Sequence, residues 1–167
     1  MYQATALIVD DEPLARQTFS EWLRQSNCRV FEAESGRQAL DIIRMEDLDI
    51  VVCDVMMPGM NGIELLRKSK AVKADLPFIM ISGHLPRATA MNVMKLGASD
   101  YLPKPFSPDV FTQRVRRIVE TSAPAKPPAP AKGMILGAMI STAAWILIAW
   151  AAVFLFLWTK QTFLNGL

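Results

Sequence analysis

Five short apolar runs, each followed by a longer stretch with the period of a helix, constrain the fold of this chain more than any other feature. The runs are TALIVD (5–10), RVFEA (29–33), LDIVVCD (48–54), PFIMIS (77–82) and DYLP (100–103). Runs of this length read as strands, and the intervening stretches are long enough to be the crossover helices that parallel neighbours require. Helices are expected at 14–26, 36–45, 62–72, 87–96 and 108–121. Their starts carry matching signals: Pro13 stands just before the first, Ser35 and Gln38 form a capping box, and Ser107 with Pro108 supplies a cap and a first turn. In the last helix Phe111, Val115 and Ile118 fall on one stripe, while Arg114, Arg117 and Glu120 point elsewhere. The expected architecture is an α/β unit of five strand–helix repeats over residues 1–121.

The text then changes. Residues 122–132 read SAPAKPPAPAK, whose prolines forbid a regular helix and favour a polyproline spacer of about 30 Å. From Gly133 to Thr159 there is no ionisable side chain. The 25 residues from Met134 to Trp158 would make about 37 Å of helix, enough to cross a hydrocarbon core of about 30 Å with some tilt. An all-apolar core helix of that length needs a large protein around it, so residues 133–159 are expected to form a transmembrane helix and 160–167 a short extracytoplasmic tail. Arg114, Arg116, Arg117, Lys126 and Lys132 outnumber Lys160, so the positive-inside rule is expected to keep the N-terminal domain on the cytoplasmic side of the membrane, single-pass. Gly133, Gly137 and Ser141 recur every four residues; they form either a helix contact stripe or ordinary membrane-helix composition.

Residues 1–121 hold 15 basic and 16 acidic side chains, so the net +2 of the whole chain comes from Lys126, Lys132 and Lys160. A near-neutral domain argues against a nucleic-acid surface. The first residues, MYQATALIVDDE, lack the basic region and long apolar core of a secretory signal. Cys28 and Cys53 have no metal-ligand spacing and are expected to be buried thiols. His84, the only histidine, is expected to be a solvated loop residue.

In an open parallel sheet, ligands sit beyond the carboxyl ends of the strands. Here the first strand ends in Asp10, Asp11 and Glu12, the third in Asp54, the fourth in Ser82 and Gly83, and the fifth leads to Lys104 and Pro105. If the first and third strands are neighbours, Asp10, Asp11 and Asp54 gather on one rim, where they repel unless a cation neutralises them. A hard divalent ion suits oxygen donors, and Mg2+ suits them best because it needs few protein ligands and keeps waters. Singly, a turn rich in Asp, Pro and Gly can serve only to reverse the chain, and Lys104 can be a surface charge. Together on one rim they would require several independent accidents.

These residues also carry a resemblance. VDDE after the first strand, DVMMPGMNG (54–62) after the third, ISG (81–83) after the fourth and YLPKPF (101–106) resemble, in order, the signatures of a bacterial two-component response-regulator receiver domain, CheY-like, over about residues 4–121. The resemblance implies a flavodoxin-like doubly wound parallel sheet with strand order 2-1-3-4-5. It implies that Asp54 is the phosphoryl acceptor, and that Asp10, Asp11, Asp54 and the backbone carbonyl of Met56 hold Mg2+. Lys104 would pair with the phosphoryl oxygens, Ser82 would hydrogen-bond one of them, and Ser82 with Tyr101 would form the switch. The Lys104–Pro105 bond is usually cis in this family. Gly83 replaces a more frequent alanine, and Met56 and His84 stand at variable positions beside the path of hydrolytic water.

The remaining residues leave no room for a DNA-binding or enzymatic output, so the output is expected to be a contact, commonly made in this family by the fourth helix, fifth strand and fifth helix, about residues 87–121. The expected partners are a sensor histidine kinase, a membrane protein reached through the span and, in one arrangement, a second copy as a homodimer. No enzymatic activity is expected beyond Mg2+-dependent self-phosphorylation and dephosphorylation. A rival reading makes the chain an accessory structural subunit of a membrane complex, and a weaker one makes it a phosphate sink.

Overall fold

The computed structural model describes residues 3–83 and 87–122; the spacer from 123, the apolar segment 133–159, the tail and His84 lie outside them. Among the described residues no helix is long and apolar enough to cross a membrane.

The elements alternate without exception: β1 (Thr5–Val9), α1 (Pro13–Gln25), β2 (Arg29–Ala33), α2 (Gly36–Met45), β3 (Ile50–Asp54), α3 (Gly62–Val72), β4 (Phe78–Ser82), α4 (Arg87–Lys95), β5 (Asp100–Pro103) and α5 (Pro108–Ser122). The strands form one parallel sheet in the order β2-β1-β3-β4-β5. Every residue of β3 and β4 is buried, because helices cover both faces of the sheet. Strand side chains alternate, so the core divides in two. Leu7, Val9, Val51, Cys53, Phe78 and Met80 meet Ala39, Ile43, Leu65, Leu66 and Val93 from α2, α3 and α4. Ala6, Ile8, Ile50, Val52, Ile79 and Ile81 meet Phe19 and Leu23 of α1 and Phe111, Val115 and Ile118 of α5. Such a doubly wound sheet leaves one rim, the carboxyl ends of the strands, free for chemistry.

The element ends show why the sequence signals held and where they slipped. Ser35 caps α2 by accepting the Gln38 N–H at 3.3 Å, and the Gln38 side chain accepts in return from Glu34 N–H at 2.9 Å, one residue upstream of the usual capping box. Asn61 caps α3 by accepting the Glu64 N–H at 2.9 Å. α1 and α4 both close with paired bonds across a left-handed residue: Asn27 (φ 61°) with Cys28 N–H on Leu23 C=O, and Gly97 (φ 94°) with Ala98 N–H on Val93 C=O. Pro13 lies inside α1 rather than before it, since a first-turn position needs no N–H. β1 stops at Val9, one residue short of expectation, because the Asp10 carboxylate turns the chain by accepting the Glu12 N–H at 2.9 Å. Cys53 is buried as expected, but Cys28 is only partly buried, at the edge of the α1–α5 layer.

Candidate functional site

The register assembles the site. Val9 pairs with Cys53, so the next residues, Asp10 and Asp54, leave the sheet side by side. Asp54 pairs with Ile81, and Ser82 pairs with Pro103, which sets Lys104 on the same rim. The Lys104 ammonium reaches across, donating to Asp54 Oδ1 at 2.9 Å and to Asp10 Oδ2 at 3.4 Å. Its backbone N–H donates to the Ser82 carbonyl at 2.9 Å, and the Lys104–Pro105 bond is cis. Asp10, Asp54 and Ser82 are all buried.

Each acid is also fixed from behind. Asp10 N–H donates to Ala33 C=O at 3.2 Å, and the Asp10 carbonyl accepts from the Arg16 guanidinium at 2.7 Å. Asp54 Oδ2 accepts the Met56 N–H at 2.6 Å, and the buried Cys53 thiol donates to the Asp54 carbonyl at 3.0 Å. The loop after Asp54 returns to α3 through Gly62 N–H on the Val55 carbonyl at 3.1 Å. Sequence reasoning passed over Arg16, since an arginine on an amphipathic helix gives no hint that it reaches back six residues to a strand-end carbonyl.

Asp11 is exposed and lines a hollow of about 510 Å³ with Val55, Met56, Met57, Asn61 and Thr89 among its walls. The expected gathering of three acids is therefore partial: Asp10 and Asp54 share one ammonium, and Asp11 stands at the solvent side of the same rim. Among the described residues no three His, Cys, Asp or Glu side chains form a metal-holding group on their own. Tyr101 is half-buried on β5, paired with Met80, and borders a separate small hollow with Ala90, Met91, Met94 and Lys95.

The electrostatics show a rim short of positive charge. Burial raises the Asp10 pKa above its ordinary value, although the Glu12 N–H and the Lys104 charge pull the other way. Burial lowers the Lys104 pKa, but the hydrogen bond to Asp54 and the charges of Asp10 and Asp54 outweigh it and leave the ammonium firmer than usual. Burial, then the Asp54 and Asp10 charges, push the Cys53 thiol far up, so it stays protonated. One lysine serving two buried carboxylates fits the addition of a hard divalent ion. Mg2+ needs only one or two carboxylates with carbonyl and water oxygens; Asp11 and Met56 line an open hollow at this rim, and the buried Asp10 and Asp54 carboxylates meet on the same rim.

A pH dependence follows. The folded state holds the Asp10 proton more tightly than the unfolded chain, whose value is near 3.8. Its contribution to stability is therefore lost as pH rises from that value through the raised folded pKa. A cation bound at the rim would offset this loss. Thermal melts of the full chain should show Mg2+ stabilisation growing as pH climbs through that window, to about 2.7 kcal/mol at a hundredfold excess over Kd. Melts insensitive to Mg2+ at neutral pH would remove the cation from this rim.

A match to the response regulator receiver domain model spans residues 6–116, the sheet from the second residue of β1 onward and most of α5. The chain belongs to the response regulator receiver family. Among similar receiver-containing proteins is the C4-dicarboxylate transport transcriptional regulatory protein DctD of Pseudomonas aeruginosa, 40% identical over 119 residues, which cover 71% of this chain and 26% of DctD. The response regulator MprA of Mycolicibacterium vanbaalenii is 34% identical over 118 residues, 71% of this chain and 51% of MprA. Among solved structures, the chemotaxis protein CheY4 of Vibrio cholerae superposes with a TM-score of 0.67 at 28% identity, covering 70% of this chain and 99% of that one. This receiver chain thus spans about a quarter to a half of the length of these two curated relatives. The family accounts for the CheY-like fold and the order 2-1-3-4-5.

Proposed function

We propose that the chain is a membrane-anchored response regulator that accepts a phosphoryl group on Asp54 from a sensor histidine kinase and signals by protein contacts. The observation that carries the reading is the buried Asp54 carboxylate at a strand exit, 2.9 Å from an ammonium that it shares with a second buried acid.

The chemistry is a displacement at phosphorus. An Asp54 carboxylate oxygen forms the new O–P bond while the P–N bond of a phosphohistidine breaks, and the departing imidazole nitrogen keeps the electron pair and takes a proton from solvent. Lys104 would follow the charge as it moves from the carboxylate to the phosphoryl oxygens, and the Ser82 hydroxyl would hydrogen-bond one of them. Mg2+, held by Asp10, Asp11, Asp54 and the Met56 carbonyl, would supply the charge neutralisation that lets two anions meet. Movement of Ser82 toward the phosphoryl group would free space for Tyr101 to turn. The apolar hollow beside Tyr101, with Met91 and Met94 exposed on α4, supports an output contact there. Incubating the full chain with a small phosphodonor tests the reading: incorporation should require Mg2+, survive acid and be lost in base. No incorporation under these conditions would refute it.

Anchoring rests on the uncharged segment 133–159 and the basic excess before it. The full chain expressed in bacteria should sediment with the inner membrane and stay there through alkaline carbonate washing; release by carbonate would rule out a span. The stripe Gly133, Gly137, Ser141 favours a second reading, an accessory subunit docked into a membrane complex. A stoichiometric complex in gentle detergent that survives Asp54→Ala would favour that subunit role over signalling; a second copy at the same stripe would appear as a doubled mass.

A further inference from the structure

The Lys104 ammonium has a third neighbour. It lies 5.6 Å from the centre of the Phe19 ring, over the ring face. Phe19 belongs to α1, is 7% exposed, and cannot follow the ammonium if it moves. Three aromatic rings fix it: Trp22 at 5.5 Å, Phe106 at 5.5 Å and Phe111 at 5.3 Å, with Phe106 stacked on Phe111 at 5.8 Å and 11°. Phe106 follows Lys104 by two residues, so the loop that carries the lysine is clamped into the same stack.

We propose that Phe19 is a positioning residue: its ring face, held by Trp22, Phe106 and Phe111, keeps the Lys104 ammonium at the point between Asp54 and Asp10 where it meets the incoming phosphoryl group. The inference rests on the reading of Asp54 as the acceptor. A lysine head on a flexible four-carbon stem has many rotamers, and 29% of this side chain is exposed, so water competes for the ammonium. The two carboxylates hold it through one oxygen each. A ring with a negative face adds a further attraction without offering an oxygen that would compete with the phosphoryl group. A core role alone would be met as well by leucine, which fills the space but has no quadrupole.

Phe19→Leu is therefore the informative substitution, made in the full chain. Small-donor labelling of Asp54 should slow about two- to five-fold, the size of an exposed-to-partly-buried cation–π contact. With Lys104→Met already present, Phe19→Leu should change the residual rate by less than about 1.5-fold, since no cation remains to be held. In parallel, NMR of the Lys104 ε-methylene should show a ring-current shift and a single ordered rotamer in the natural chain, and rotamer averaging in Phe19→Leu. Equal slowing in both lysine backgrounds, or an ordered Lys104 in Phe19→Leu, would overturn the positioning role. Should the natural chain take up no phosphate, the acceptor reading fails, while the NMR comparison still decides whether Phe19 orders Lys104.

Discussion

Asp54→Asn is expected to reduce phosphate incorporation from a small phosphodonor to background while the domain stays folded. Asparagine keeps the shape of the side chain and an oxygen that accepts the Met56 N–H, the bond that holds the 54–62 loop at 2.6 Å. It loses the anionic oxygen that forms the bond to phosphorus in the proposed transfer. The same change relieves the repulsion between two buried carboxylates that share one ammonium, and leaves Lys104 with Asp10. Stability by chemical denaturation should therefore stay level or rise by about 1 kcal/mol. Labelling that persists in Asp54→Asn would place the acceptor on another acid of the rim; labelling lost together with folding would show that the carboxylate is structural.

Gly62→Ala is expected to be among the most damaging single substitutions in the domain, at about 3 kcal/mol. A Cβ at Gly62 would fall deep inside contact distance of the Asp54 backbone oxygen, and 3.0 Å from both Cys53 Sγ and Met80 Cε. The obstacle is main chain at the end of β3, pinned in the sheet through Asp54 and Ile81, so no side-chain rotation relieves it. The variant should melt well below the natural chain and, where still folded, label more slowly because the strain displaces Asp54. Gly83→Ala is the control: nothing lies within 4 Å of its Cβ, so its stability should be unchanged. A stable Gly62→Ala would mean that α3 can move off the strand, and would undo the packing described for this loop.

The sequence exposed the strands and helices because burial and period coincide throughout. The fully buried β3 and β4 appear as unbroken apolar runs, and α2, α3 and β2 begin and end where composition changes. The errors are of one or two residues, at places where a side chain rather than hydrophobicity ends the element, as with Asp10 and Pro13. The site was legible to the extent that its residues stand at strand exits: Asp10, Asp54, Ser82 and Lys104 meet on one rim. What stayed hidden depends on distances between elements far apart in the chain. Arg16 on the Asp10 carbonyl, Asn61 as a cap and Phe19 under Lys104 use residue types that are common in such positions for other reasons. The exposed place of Asp11, apart from the Asp10–Asp54 pair, is likewise set by the backbone turn after β1 and has no counterpart in composition.

The ion pair between Asp10 and Lys104 joins residues 94 positions apart. When the chain leaves the ribosome, the two acidic strand ends emerge well before the lysine that compensates them, so the sheet centre must wait, carrying an unrelieved like-charge contact, until β5 docks at its edge. On the proposed reading, a nascent or truncated chain ending before β5 would lack the ammonium that meets the phosphoryl group and would take up no phosphate.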